Sequence, residues 1–221
     1  LAGVVESEFM EALADHPPDA HGLVVGVCAR PGELEVTVRP PGPAAEGFVD
    51  ALEARFPGAI FSRDGSRVEQ VVGRMLMAAG ATMGTAESCT GGLVGARLTE
   101  VPGSSGWFAG GVIAYSNEVK QSSLGVPGET LRAHGAVSEP VARAMAEGAR
   151  QAIGCDWAIG ITGVAGPGGG TPDKPVGLVY VAVAGPGGTS VRELRLHGDR
   201  ERVRLRASTI ALHLLREALA A

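Results

Sequence analysis

The chain of 221 residues is poor in cysteine, aromatic side chains, lysine and asparagine, and has no long apolar run. Each scarcity excludes something. The cysteines, Cys28, Cys89 and Cys155, are odd in number and form no CxxC pair. That argues against a disulfide framework or a zinc cluster and fits a reducing cytoplasm. The longest uninterrupted apolar stretch is Leu178–Ala184, far below the roughly 18 residues of a spanning helix, so no membrane segment is expected. Glu6, Glu8, Glu11, Asp15 and Asp19 leave no room for a secretory leader. Leu1 is not an initiator Met, so the chain reads as a fragment or a processed protein. The histidines, His16, His21, His134, His197 and His213, show no ligand spacing. No metal and no cofactor is therefore expected. Lys120 and Lys174 are the only lysines among 19 basic residues. Where arginine is the default cation, a lysine stands out as a residue that chemistry requires.

Apolar and aromatic residues make up 45% of the chain and charged residues 19%, values of a globular protein with a real core. Charge divides it. Residues 1–63 hold four basic residues, Arg30, Arg39, Arg55 and Arg63, against ten acidic ones; residues 64–221 are near neutral. The boundary is expected at the polar turn around Ser62–Gly65. The first part reads as a small α+β unit: helix Val4–Ala14, strands Gly22–Ala29 and Leu34–Arg39 joined by a four-residue loop at Arg30–Glu33, helix Ala44–Arg55 and strand Ala59–Ser62. The order fits a KH-like module. The lack of a GxxG loop and the strong negative balance argue against nucleic-acid binding.

In residues 64–221 helices alternate with strands and a hairpin comes late, which predicts a three-layer α/β/α domain with a mixed sheet. Expected elements are a helix opened by the capping box Ser66–Glu69, strand Ala81–Thr85, a loop over Ala86–Thr90 and a helix from Gly91 to Glu100. Strand Trp107–Tyr115, helix Asn117–Leu124, a helical turn at Glu129–His134 and a helix from a Ser138 cap through Ile153 follow. Strand Trp157–Thr162, the hairpin Val176–Ala184 with Ser190–His197, and a final helix capped by Asp199 with the face Val203, Ala207, Ile210 and Leu214 complete the chain.

Several segments can carry chemistry. Thr85–Gly92 ends a strand and enters a helix through Gly91-Gly92. Such a turn suits a nucleophile beside free helix N–H groups; Ser88 and Thr90 can equally be plain helix caps. Lys120 falls in the first turn of a helix, where the macrodipole disfavours an ammonium and favours a neutral base; an exposed Lys120 paired with Glu118 is the alternative. The Gly-rich loop after Thr162 can wrap a phosphate or serve as a turn. In His197–Arg202 two arginines oppose the helix dipole, as an anion site or as a solvated face. With no triad histidine in evidence, a Ser–Lys pair gains interest; Cys89 is the rival nucleophile or a small core filler.

Taken in order, Thr85–Gly92 (TAESCTGG), Pro102–Phe108 (PGSSGWF), Tyr115–Lys120 (YSNEVK), His134–Pro140 (HGAVSEP), Ile161–Gly169 (ITGVAGPGG), Lys174–Gly177 (KPVG) and Gly198–Arg202 (GDRER) resemble the CinA C-terminal family, the nicotinamide-nucleotide amidohydrolases. Residues 1–63 are similar to the middle segment of long CinA proteins; the metal-dependent nucleotide domain of long members has no counterpart. The resemblance implies hydrolysis of nicotinamide mononucleotide to nicotinic acid mononucleotide and ammonia by a cytoplasmic enzyme. It implies Ser88 as nucleophile, Lys120 as general base and Tyr115 beside them, with Ser105, Thr162 and Arg202 near the substrate. On this reading Thr90, Gly91 and Gly92 offer oxyanion N–H groups and Gly163 belongs to the substrate loop. A homodimer is expected.

Overall fold

In the computed structural model, which describes residues 1–221, the chain divides between Arg67 and Val68. In the first unit, helix α1 (Glu6–Asp15) and a 3-10 turn (Pro18–His21) precede strands β1 (Val24–Arg30) and β2 (Glu33–Arg39); helix α2 (Pro43–Arg55) follows. Phe9, Leu23, Leu34, Ala45, Phe48 and Leu52 form the core between the helices and the hairpin. The hairpin is tighter than expected. Arg30 and Glu33 pair with each other, so only Pro31 and Gly32 turn the chain, with Gly32 at φ 89°. The strand expected at Ala59–Ser62 does not form. The backbone of Leu1 takes the amide of Leu34 at the start of β2, and the segment receives a bond from the Ala2 amide at Ala59 rather than a ladder.

The second unit holds strands β3 (Met83–Glu87), β4 (Phe108–Ile113), β5 (Trp157–Gly163), β6 (Leu178–Gly185) and β7 (Gly188–Arg195) in one mixed sheet of order β4-β3-β5-β6-β7. β3 runs parallel to both neighbours, whereas β6 and β7 are antiparallel additions. Helices α3 (Val68–Ala79), α4 (Leu93–Thr99) and α8 (Arg200–Ala220) pack together on one layer. Helices α5 (Asn117–Leu124), α6 (Gly128–His134) and α7 (Glu139–Ile153) form the other. The three-layer α/β/α expectation holds for this unit.

Several boundaries move for identifiable reasons. β3 continues through Ala86 and Glu87, which still pair with β4 and β5. α4 starts at Leu93 because Gly91 and Gly92 both adopt left-handed φ, 61° and 92°, which no helix can continue. Ser138 does not cap α7; its hydroxyl donates to the Gly135 carbonyl. Asp199 does cap α8, accepting from the Arg202 amide at 2.9 Å. The hairpin β6–β7 closes over Pro186 and Gly187 alone. On α8 the buried face centres on Val203, Ala207, Ala211, Leu212 and Leu215, while Ile210 and Leu214 are half-buried.

Topology then places the functional edge. From β3 the chain passes through α4 to β4 on one side, then returns through α5–α7 to β5 on the other. The connections part at the carboxyl end of β3, the usual place for a ligand crevice in an open α/β sheet. Close packing of α5 on α7 sets what enters that crevice. A Cβ on Gly148 of α7 would lie 1.9 Å from the Leu124 carbonyl at the end of α5. Gly148→Ala is therefore expected to destabilise the domain by about 2–3 kcal/mol, in the overpacking range, and to displace α5 and lower activity. The urea midpoint of the purified variant checks the first effect.

Candidate active site

Pairing register brings the site together. Glu87 lies opposite Ile113 on β4 and Ile161 on β5. The next residue of each strand or its extension, Ser88, Ala114 and Thr162, therefore meets at one level of the sheet edge. The Ser88 amide donates to the Ile161 carbonyl at 3.0 Å, and the Ala114 amide to the Glu87 carbonyl at 2.8 Å, so the frame is held by backbone bonds.

Into this frame α5 delivers Lys120. Ser116 caps the helix, accepting from the Val119 amide, and Gly125 ends it in the left-handed region. Lys120 is 1% exposed. Its Nζ lies 3.1 Å from Ser88 Oγ, 2.7 Å from the Ala114 carbonyl and 3.3 Å from the Tyr115 carbonyl. It forms no ion pair with Glu118. Burial pushes the ammonium below its usual pKa of 10.5, with only partial opposition from the Glu118 carboxylate, the Cys89 thiol being uncharged in this range. When the amine is neutral, the geometry defines its orientation. Carbonyl oxygens can only accept, so its two N–H bonds go to Ala114 and Tyr115. The remaining lone pair then faces the Ser88 hydroxyl, the only one of the three partners that can donate a proton.

Tyr115 serves by its backbone and by its ring. Its carbonyl holds Lys120, and its hydroxyl accepts from Arg200 Nη2 at 2.8 Å. The hydroxyl bonds neither Ser88 nor Lys120, so the expected place beside the pair belongs to the main chain. Thr162 is buried and donates to the Ala136 carbonyl at 2.8 Å. Ser88, Tyr115, Asn117, Lys120, Thr162 and Arg200 line a cavity of about 230 Å³, and Gly163 borders it. A cavity of like volume in the first unit, around Leu34, Val36 and Leu52, has no buried nucleophile.

Other expected site residues lie elsewhere or are already engaged. The Gly92 amide donates to Glu87 at 3.0 Å, the Gly91 amide donates to the Ser88 carbonyl at 3.1 Å, and Thr90 is wholly buried. None of the three can present an N–H to a ligand. The amide at the pocket that no carbonyl or carboxylate takes is that of Cys89, directly after Ser88; within the protein it faces only its own thiol, a weak acceptor. Ser105 sits in the 3-10 turn Ser104–Gly106 ahead of β4, at the opposite end of that strand from the pocket. Arg202 is exposed, with its stem beside Gly198, and does not line the cavity.

Sequence reasoning did not single out Glu87 or Arg204; of the two first-turn arginines of α8, Arg200 lines the pocket and Arg202, the one the resemblance named, does not. Glu87 is 1% exposed and accepts from the amides of Gly92, Val94 and Gly95 at 2.8–3.1 Å. It satisfies the first turn of α4 where no cap residue is available. Arg200 donates to the Gly166 carbonyl and the Tyr115 hydroxyl, both at 2.8 Å, and has no acidic partner. A helical period was the available signal: Arg200 and Arg204 share a face of α8 that Arg202 does not. No group of three or more His, Cys, Asp or Glu side chains is arranged to hold a metal ion. No helix is long and apolar enough to cross a membrane.

Cys89 is 6% exposed, and burial pushes its thiol up to about 12. At neutral pH it stays protonated and is a poor nucleophile. Iodoacetamide at pH 7.5 is expected to leave activity intact, and Cys89→Ala to keep most of it, since that change retains the backbone N–H. Abolished turnover in Cys89→Ala would make the thiol the nucleophile.

A buried lysine amine thus stands within hydrogen-bond distance of a serine hydroxyl at the carboxyl edge of a mixed α/β sheet. The sequence model of the CinA C-terminal domain matches residues 65–219, and the chain belongs to that family. It is 48% identical over 226 residues to a CinA-like protein of Mycobacterium marinum, covering 99% of this chain and 53% of that protein. A CinA-like protein of Mycobacterium tuberculosis is 45% identical, with 99% and 52% covered. The chain thus spans about half the length of the curated relatives it matches. Among solved structures, the competence/damage-inducible protein CihA of Agrobacterium tumefaciens is 39% identical with a TM-score of 0.67, over 72% of this chain and 99% of that one. A CinA superfamily protein from Escherichia coli is 31% identical with a TM-score of 0.66, over 71% and 93%.

Proposed function

We propose that this chain hydrolyses the carboxamide of nicotinamide mononucleotide to nicotinic acid mononucleotide and ammonia, with Ser88 as nucleophile and Lys120 as general base. The observation that carries the reading is the buried Lys120 Nζ, 3.1 Å from Ser88 Oγ and otherwise held by carbonyls. Neutral Lys120 takes the Ser88 proton as Oγ attacks the amide carbon. The Cys89 amide supplies a donor to the oxyanion, the position after a nucleophile being a common source of one. The Lys120 ammonium then gives its proton to the departing nitrogen, and ammonia leaves. Lys120, neutral again, activates a water that cleaves the acyl-enzyme and regenerates Ser88.

Arg200 supports the choice of a nucleotide over free nicotinamide. Its guanidinium stands at the cavity with no carboxylate to neutralise it, which suits the substrate phosphate. Binding energy at that remote group can lower the barrier at the amide. The test is ammonia release from nicotinamide mononucleotide, the riboside and nicotinamide. Release is expected from the mononucleotide alone. Arg200→Met is expected to raise KM about 10- to 100-fold, since a charge-assisted hydrogen bond is worth about 1.5–3 kcal/mol. Equal turnover of all three compounds would remove the phosphate from the account. No release from the folded protein would make the cavity a site for another amide or a plain binding site.

A further inference from the structure

The polar groups of the turn that carries Ser88 can be counted out. The Ser88 amide bonds Ile161, the Gly91 amide bonds the Ser88 carbonyl, and the Gly92 amide bonds Glu87. The Cys89 carbonyl accepts from Arg204 Nε at 3.2 Å and the Thr90 carbonyl from Arg204 Nη2 at 2.7 Å. The Cys89 and Thr90 amides have no carbonyl or carboxylate acceptor and face only the Cys89 thiol, a weak acceptor that an oxyanion would outcompete; of the two residues only Cys89 lines the cavity. Arg204 lies on α8, 114 residues beyond Thr90 in the chain. It has no acidic partner, so a full guanidinium charge is directed at neutral carbonyls of a single turn.

We propose that Arg204 is a positioning residue for acyl transfer, holding the Ser88–Gly91 turn so that the Cys89 N–H stays beside Ser88 Oγ. The peptide unit is planar and trans, so a carbonyl drawn one way sends the next N–H the other way. Arg204 draws the Thr90 carbonyl, which points the Gly91 N–H inward onto the Ser88 carbonyl. With its carbonyl held inside the turn, the Ser88–Cys89 peptide must turn the Cys89 N–H outward. The bond to the Cys89 carbonyl locks the intervening peptide. A flipped peptide at this point would replace an oxyanion donor with a carbonyl oxygen, which repels the developing charge. Glu87 fixes the far side of the same turn through the amides of α4.

Arg204 and Arg200 are thus assigned different work from one face of one helix. Arg200 faces the cavity and acts on substrate affinity. Arg204 spends its hydrogen bonds on the turn and acts on the rate after binding. The assignment rests on Ser88 being an acylated nucleophile but not on the identity of the amide, which allows the two readings to fail separately.

The experiment compares wild type, Arg204→Met and Arg204→Lys by kcat and KM for nicotinamide mononucleotide and by thermal midpoint. In parallel it measures the rate at which a fluorophosphonate, which also develops charge on oxygen, modifies Ser88. Arg204→Met is expected to lower kcat about 100-fold, the lower range for loss of an oxyanion donor, with KM nearly unchanged. The modification rate is expected to fall in proportion. Arg204→Lys keeps the charge but has no planar fork for two carbonyls, so it is expected to recover activity only in part. If wild type leaves the mononucleotide intact yet Arg204→Met still slows modification, the positioning role stands and the substrate reading fails. The proposal is overturned by a higher KM at unchanged kcat, by unaltered modification of Ser88, by losses that track the thermal midpoint alone, or by a wild-type Ser88 that the probe does not modify.

Discussion

Ser88→Ala is expected to lower kcat/KM for nicotinamide mononucleotide by at least about 10⁴-fold, while the protein stays folded and still binds the mononucleotide. The magnitude follows from the role. Removing a nucleophile that works as a unit with its base costs nearly the whole covalent pathway, about 10⁶-fold in the best-measured case, and leaves only the contribution of binding and the oxyanion donor. Folding should survive because the frame around Ser88 is backbone: its amide bonds Ile161 and its carbonyl accepts from Gly91. The lost hydroxyl leaves Lys120 Nζ its two carbonyl partners. Ammonia release and calorimetric binding on the same preparation check both halves. A Ser88→Ala protein that keeps full deamidation would sink the mechanism.

Lys120 carries the second large effect, and it has a pH signature. On the proposed mechanism the active form is the neutral amine, and burial holds the folded pKa below 10.5. Turnover should therefore rise as pH rises through that lowered value and level off before 10.5. Lys120→Arg keeps a cation of similar reach but never offers a lone pair in this range. It is expected to cost about 10²–10⁴-fold in kcat, the range of a lost general base, and to lose the alkaline limb. Stability should respond as well. A folded pKa below the unfolded one means that the unfolded chain binds more protons between the two values, so stability rises with pH across that window. Below the folded pKa the burial penalty on the ammonium is fully present; above 10.5 it is gone. Thermal midpoints of wild type and Lys120→Met between pH 7 and 10.5 should show a steeper rise for wild type. Parallel curves would mean that Lys120 titrates normally and is no base.

Ser88 and Lys120 were legible as candidates in sequence because both sit where local geometry is simple: one residue past a strand, and in the first turn of a capped helix. Their partnership was legible only through the family resemblance, not from local pattern. The pair spans 32 positions, and the alternative of an exposed Lys120 beside Glu118 had the same local sequence. What decided it was the packing of α5 on α7, which depends on a missing Cβ at Gly148.

The oxyanion donors show the opposite error. A Gly-Gly helix start promised free amides, and the promise failed because Glu87, still part of β3, reaches forward to take that of Gly92, while the Ser88 carbonyl takes that of Gly91. Local reasoning counted N–H groups without counting a buried carboxylate whose own need for donors is greater than any neutral group's.

Residue order alone determined the mixed α/β domain and put Ser88 and Lys120 forward as candidates. Those features depend on composition and short-range periodicity, which a chain carries whether folded or not. Only the tertiary structure decided that Lys120 is dry, that Arg200 rather than Arg202 faces the cavity, and that Arg204 bonds the turn that carries Ser88. Desolvation and long-range hydrogen bonds exist only once distant segments exclude water together, and no local pattern encodes which faces will meet.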